Sequence, residues 1–598
     1  MTRAMGQDKP GEGTSGAVSV ADAGAAALVS GRLDELRDPE QAGWQRVKSN
    51  VSRTVYRRSI NGRGLYLKHY HPRSAVYRLA RRLGASDARC EMRFIQYLAG
   101  RGVATPPALA SMCDGQTEWL LTEAVEPSQQ ADRWHAEQLG RGAEGRSAVR
   151  RATVALGRLV GRMHAAGVIH RDLHCGNVLV RGEAGDPEVV LMDLHRVRRR
   201  RRLSRRARAA NLAQLLHDRR EFTTRTDRLR FLKAYLAAGG AAGSMRGWQL
   251  LVEQFARAHT GRQHAQRERR ARGTNKYFCR LRLARGWRGH VVLASKRRMA
   301  GSQAAGMELS ADAWRQALGR PEALFEEGGE VVKDSPSSQV IRRRLTVGDR
   351  EVDVYVKRTR RKHAWKLLAD CLRPSRPIRA FRKGHALLAR HIATALPLAA
   401  LERRRGPFLA DSILITEAAA GTMLGPFLNT WLASPPRGDT PLSVVQQRQL
   451  AQDVLWQLGR MVQKLHDSSF AHRDLKASNI LVQWSAPTAP LEVSKRDKSR
   501  LEPRVVLLDL DGLSRKRYLS LSRRFQGLMR LNVSLLNCPV VNRAGRLRML
   551  LGYLRRPGCG RIDFKPYWRV LEDWSTRKLQ RQIRSRRKRQ KADRRPGS

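Results

Sequence analysis

Apolar side chains recur at helical spacing at two places along the chain. Leu156, Leu159, Val160 and Met163 share one face of a helix of about 3.6 residues per turn, and so do Leu455, Leu458, Val462 and Leu465. Each set predicts an amphipathic helix. Past a polar stretch, each is followed by short apolar, β-branched runs. These are Asn177–Val180 and Val189–Met192 in the first half, and Asn479–Val482 and Val505–Leu508 in the second. They predict paired strands. Further upstream the pattern alternates. Leu65-Tyr66-Leu67-Lys68 and Val354-Tyr355-Val356-Lys357 each predict a strand that ends in lysine. Glu118–Glu123 and Ile413–Glu417 predict one more strand in each half, and Ala88–Phe94 carries a helical pattern.

The two halves are copies of one another. Leu156–Val180 aligns without a gap on Leu458–Val482, with 12 of 25 positions identical. A second echo joins Arg228–Leu232 and Tyr235 to Arg546–Leu550 and Tyr553. A repeat of this length implies two homologous domains rather than a solenoid. The 598 residues accommodate two domains of roughly 250–300 residues each, and an apolar content of 41% is enough for real cores. The predicted element order gives an α+β architecture: two tandem bilobal domains, each with a small β-rich N-lobe and a larger helical C-lobe. Composition suggests a disordered leader over 1–30, a first domain over 31–260, a linker over 261–310, a second domain over 311–575 and a basic tail over 576–598. Within the linker, Tyr277–Leu283 and His290–Lys296 could pair as a hairpin.

The repeated segment carries chemistry. The first copy reads His170-Arg171-Asp172-Leu173-His174-Cys175-Gly176-Asn177, and the second His472-Arg473-Asp474-Leu475-Lys476-Ala477-Ser478-Asn479. Each is followed by an apolar run ending in Asp193 or Asp509. This is the H-R-D-L-x-x-x-N loop and second aspartate of phosphoryl transfer, a reaction governed by positioning and charge neutralisation. Asp172 and Asp474 are the candidates to orient the acceptor hydroxyl. Asn177, Asp193, Asn479 and Asp509 offer oxygen ligands of the kind that suits Mg²⁺. Lys68 and Lys357 are placed to hold ATP phosphates, and Glu91 lies where a helix-borne glutamate would pair with Lys68. Aligning Leu387 with Leu98 puts Ala380 opposite Glu91, so no helix-borne partner is expected for Lys357, although another acid could substitute. His170 and His472 are expected to brace the loop. Neither half has a G-x-G-x-x-G loop: Asn61-Gly62-Arg63-Gly64 reads as a hairpin turn, and the second half offers only Gly348. No A-P-E follows either aspartate; basic runs stand there instead, Arg196–Arg202 and Arg515–Arg517.

These residues resemble the lipopolysaccharide kinase family of bacteria, the Kdo and heptose kinases. The resemblance rests on the His-Arg-Asp-Leu loops, on Asp193-Leu194-His195 and Asp509-Leu510-Asp511-Gly512 in place of Asp-Phe-Gly, and on Glu91, Leu98, Gly102, Val103, Thr105 and Pro106. It implies ATP- and Mg²⁺-dependent phosphorylation of a lipid A–core sugar at the cytoplasmic face of the inner membrane. The copies also differ. His174 resembles the sugar and small-molecule kinases at its position, and Lys476 the protein Ser/Thr kinases, where it would join the catalytic set.

Charge fits an anionic partner. The net charge is +62, with dense clusters at Arg198–Arg208 and Arg577–Arg595. No apolar run approaches the ~18–20 residues of a membrane span, so a soluble or peripheral protein is expected. Seven cysteines without a C-x-x-C pair suggest free thiols. Three alternatives stand beside the sugar-kinase reading: a Ser/Thr protein kinase, one active unit scaffolded by a nucleotide-binding pseudokinase, and a nucleic-acid binder. No base-stacking or groove-reading motif supports the last.

Overall fold

The computed structural model describes residues 18–50, 52–71, 85–114, 117–183, 185–217, 223–239, 242–294, 309–326, 328–360, 371, 373–432, 443–484, 503–556 and 562–593. The chain divides into two compact units, 1–261 and 262–598.

In the first unit a six-stranded antiparallel sheet forms the N-lobe. Its spatial order is Ser19–Val20, Ala108–Cys113, Glu118–Glu123, Arg63–Tyr70, Arg53–Ile60 and Gln45–Asn50. Asn61 and Gly62, both at positive φ, close the hairpin before the lysine strand, as an Asn-Gly pair does in a tight turn. Lys68 pairs with Val55 on one side and Leu120 on the other. Helix Asp87–Ala99 packs on this sheet. Ser86 caps it by accepting from Arg89 N at 3.0 Å, and buried Glu118 accepts from Ala88 N at 2.8 Å. The C-lobe holds helices Gly142–Ala165, Arg205–His217, Arg225–Gly239 and Met245–Arg270; the unit ends within the last of these.

The second unit repeats the plan with a larger sheet. Its order is Phe278–Arg282, Trp287–Val292, Pro397–Arg405, Phe408–Glu417, Arg350–Thr359, Ser338–Val347 and Glu330–Ser335. Lys357 pairs with Val340 and Leu414, the register of Lys68. Helix Arg376–Leu388 is capped by Ser375. Helices Val444–Asp467, Leu521–Leu536, Arg543–Leu554 and Lys565–Asp593 build the C-lobe.

Two expectations from composition are corrected. Residues 18–30 are not all leader: Ser19–Val20 pairs with Ala110–Ser111, and helix Ala23–Val29 buries Ala25 and Val29. Residues 1–17 of that leader lie outside the described residues. The expected linker over 261–310 contains two strands of the second sheet, because Phe278–Val292 alternates and buries Cys279, Leu281 and Trp287. The hairpin read from the sequence is this pair. Helix Lys565–Asp593 buries Leu571 and Ser575 just before the basic tail and carries the tail as far as Asp593. Residues 485–502, which lengthen the segment between Asn479 and Asp509 relative to the first copy, lie outside the described residues.

The repeated motifs meet in space. In each unit the helix before the catalytic loop lies against the helix carrying the second echo, and a glycine lets the backbones touch. A Cβ on Gly459 would fall 2.0 Å from Met549 O and 2.8 Å from Tyr553 N. On Gly157 it would fall 2.6 Å from Phe231 O. Backbone cannot yield as a side chain can, so the added methyl strains the pair despite the better helix propensity of alanine. Gly459→Ala should destabilise the second unit by about 1–3 kcal/mol, read as an earlier urea midpoint for that unit. An unchanged midpoint contradicts this packing.

Candidate active site

The catalytic loop is fixed by backbone and imidazole bonds that recur in both copies. Asp172 N donates to His170 Nδ1 at 3.1 Å, which leaves His170 Nε2 to donate to Met192 O at 3.1 Å. His472 does the same, accepting from Asp474 N at 3.3 Å and reaching Asp509 O at 2.8 Å. Asn177 Nδ2 donates to Asp172 O at 3.0 Å and Asn479 Nδ2 to Asp474 O at 2.8 Å. The Asn177 and Asn479 carbonyls accept from Met192 N and Leu508 N, at 2.9 and 2.8 Å, so each loop is stitched to the strand leading to the second aspartate. Burial lowers the pKa of His170, in keeping with a bracing imidazole. The carboxylates of Asp172 and Asp474 remain about half exposed.

Asp193 and Asp509 both sit in the left-handed region, at φ 66° and 51°. Aspartate tolerates this better than most residues, and its recurrence marks a constrained turn. Around Asp193 the first unit builds a tight cluster. Lys68 Nζ donates to Glu91 Oε1 at 2.6 Å, Leu194 N donates to the same oxygen at 3.1 Å, and the Tyr70 hydroxyl donates to Glu91 Oε2. Glu91 is fully buried. Both guanidinium ends of Arg53 grip Asp193, Nη2 at 2.7 Å from Oδ2, and His195 Nδ1 lies 2.7 Å from Oδ1. Burial disfavours the charged carboxylate. The hydrogen bonds from Arg53 and His195 and the charge of Lys68 outweigh it and hold Asp193 far below the ordinary aspartate range. Glu91, Asp193 and His195 bring potential metal-ligand atoms within 4.8 Å of one another. The two carboxylates are hard oxygen donors of the kind Mg²⁺ takes and the His195 imidazole is not, and both Asp193 oxygens are engaged by Arg53.

The second unit neutralises its site differently. Ala380 is buried at the place of Glu91. Lys357 Nζ instead lies 2.5 Å from Asp511 Oδ2 and 3.3 Å from Asp509 Oδ1. Burial works against the Lys357 charge, but Asp511 and then Asp509 outweigh it and raise its pKa. Lys476 Nζ lies 2.8 Å from Asp474 Oδ2, and that hydrogen bond is the main reason the Asp474 pKa is lowered. In the first unit His174 Nε2 and Arg196 stand farther from the Asp172 carboxylate, at 3.9 and 3.8 Å.

Residues 40–235 and 326–550 match the lipopolysaccharide kinase (Kdo/WaaP) family. The chain belongs to this family. Membership in the lipopolysaccharide kinases makes it a phosphotransferase with an alcohol group as acceptor, and the two matched segments fall one in each unit. Two solved structures resemble parts of this lipopolysaccharide kinase chain. "WaaP in complex with acyl carrier protein" is 26% identical, with a TM-score of 0.32, over 40% of this chain and 98% of that one. An aminoglycoside-3'-phosphotransferase of type VIII is 22% identical, with a TM-score of 0.26, over 37% of this chain and 98% of that one. No curated protein matches the chain.

The structure places Lys68, Glu91 and Asp193 together, and Lys357 with Asp509. Asp172 and Asn177 form one loop and Asp474, Lys476 and Asn479 the other. Sequence reasoning missed Arg53, Tyr70 and Asp511. Arg53 and Tyr70 are opposite one another in the sheet register, a signal that becomes usable once the lysine strand is paired.

Behind the first loop lies a buried relay. His164 Nε2 donates to Asn211 Oδ1 at 3.0 Å, Asn211 Nδ2 donates to His170 O at 2.6 Å, and the Tyr235 hydroxyl lies 2.9 Å from His164 Nδ1. Burial pushes the His164 pKa down to about 4 from near 6.5. The folded state therefore resists a proton that the unfolded chain accepts. The stabilisation is complete above pH 6.5 and is lost as pH falls towards 4, by about 1.4 kcal/mol per pH unit. Urea unfolding of the first unit at pH 7, 6 and 5 should show this decline, and His164→Asn should make it shallower, with His170 and His69 accounting for part of what remains. An equal slope in both proteins contradicts the assignment.

Proposed function

We propose that the chain transfers the γ-phosphoryl group of ATP to a sugar hydroxyl of the lipopolysaccharide core or lipid A, Kdo or heptose, and that the first unit carries this reaction. The observation that supports it most is the buried Lys68–Glu91 pair beside Asp193, with the Asp172 carboxylate open to an acceptor. Lys68 holds the nucleotide phosphates, and Glu91 keeps the ammonium in place. Asp172 orients the acceptor hydroxyl and takes up its proton. Asn177 and Asp193 would hold Mg²⁺, which supplies charge neutralisation at the phosphates when bound. Arg53 must release Asp193 for this. In the second unit the corresponding residues are Lys357, Asp474, Asn479 and Asp509. Lys476 so near Asp474 favours a second reading there, a protein Ser/Thr acceptor.

The acceptor and the charge suit an anionic membrane surface. No helix among the described residues is long and apolar enough to cross a membrane. The clusters Arg198–Arg208 and Arg577–Arg595 would hold the chain peripherally at the inner membrane, at about 1 kcal/mol per basic residue near the bilayer.

Labelling of purified lipid A–core with γ-labelled ATP tests the reading. Asp172→Ala should lower label transfer by about 10²–10⁴-fold. Undiminished transfer in that variant, or label on protein alone, overturns it.

A further inference from the structure

The two units solve one electrostatic problem in two ways. Between the lysine strand and the turn after the helix they align without a gap. Lys68 corresponds to Lys357, the capping Ser86 to Ser375, Glu91 to Ala380 and Leu98 to Leu387. The structure supports this pairing: Val103 N donates to Leu98 O, and Ile392 N to Leu387 O, both at 3.1 Å. At the metal loop, the left-handed Asp193 and Asp509 correspond, which sets His195 against Asp511. The first unit thus has glutamate on the helix and histidine in the loop. The second has alanine on the helix and aspartate in the loop. The acid has not vanished; it has changed element.

Its target has not changed. Lys357 reaches Asp511 at 2.5 Å, where Lys68 reaches Glu91 at 2.6 Å. A half-buried ammonium is held in place by a close carboxylate, and without the helix glutamate or Asp511 the lysine would keep only the longer contact to Asp509 at 3.3 Å among the described residues. The helix compensates further: Lys383, one turn beyond Ala380, donates to Leu513 O and ties the helix to the loop through the backbone.

We propose that Asp511 is the positioning residue that anchors Lys357 in place of Glu91, and that the second unit is therefore a working phosphotransferase and not a nucleotide-binding scaffold. This rests on the reading that the strand lysines hold ATP phosphates. It carries one mechanical difference. In the first unit the lysine geometry depends on how helix Asp87–Ala99 is seated. In the second it depends on the short turn that also bears Asp509, so nucleotide and metal positioning move together.

The test uses the full chain carrying Asp172→Ala, so that turnover reports the second unit. ATP turnover and binding of Mg²⁺–ATP by calorimetry are both measured. Asp511→Asn should lower kcat about 10²-fold with a smaller change in KM for ATP, as expected when a preorganised charge is misplaced. Adding Ala380→Glu should restore most of the loss by returning the acid to the helix. The mirrored exchange guards against a folding artefact. With Asp474→Ala in place of Asp172→Ala, Glu91→Ala should lose turnover and Glu91→Ala with His195→Asp should regain it. Rescue in either exchange supports the proposal, because a merely structural role would not be repaired by an acid on a different element. The proposal is overturned by unchanged turnover in Asp511→Asn, by failure of both exchanges in folded protein, or by a parent that binds Mg²⁺–ATP without turning it over. If turnover depends on Asp511 but lipid A–core is never labelled, the sugar-acceptor reading fails and this proposal stands.

Discussion

Everything in the first unit's site depends on placing one ammonium group beside one buried carboxylate. Glu91 lies at the bottom of the N-lobe with no access to water, and an ionised carboxylate there is tolerable only if its oxygens are satisfied. Lys68, Tyr70 and Leu194 N satisfy them from the strand and the turn after Asp193 at once. The same three contacts bring together the lysine strand, the helix and the Asp193 turn. Electrostatic necessity thereby doubles as alignment of strand, helix and turn.

Arg53 adds a second layer of control. Its fork occupies both oxygens of Asp193, the geometry that makes guanidinium–carboxylate pairs strong. The second unit has Ser338 at the same register, facing Thr359 rather than Tyr70. Two sites with one catalytic loop thus differ in how their charges are balanced before nucleotide arrives. In the first, Arg53 and His195 engage Asp193, whereas in the second Lys357 bridges Asp509 and Asp511.

Much of this was legible in the chain because the informative contacts are local or periodic. The His-Arg-Asp-Leu loops, the apolar faces around Leu159 and Leu458, and the alternating lysine strands each lie within a short window. The shared His164 and His466, and the echoing Tyr235 and Tyr553, were visible as identities; the fold explains them as hydrogen-bonded pairs at 2.9 and 3.1 Å. What escaped was set by distance along the chain. Arg53 meets Asp193 across 140 positions, and Lys357 meets Asp511 across 154. No periodicity reports such a contact. Composition alone assigned 261–310 to a linker, but the alternation within it was legible as a hairpin: exposed Arg280 lies between buried Cys279 and Leu281, and exposed Arg282 follows.

That hairpin has a consequence for the edge of the second sheet. Strand Trp287–Val292 pairs along Pro397–Arg405, and Trp287 is buried with its indole on Glu322 at 2.9 Å. A second copy beginning at the repeat itself would expose that strand's unpaired amides and the apolar wall behind them, a template for aggregation. The hairpin therefore guards an edge that the first unit closes with only the short strand Ser19–Val20, and a second domain cut just upstream of Arg350 would lose that cover.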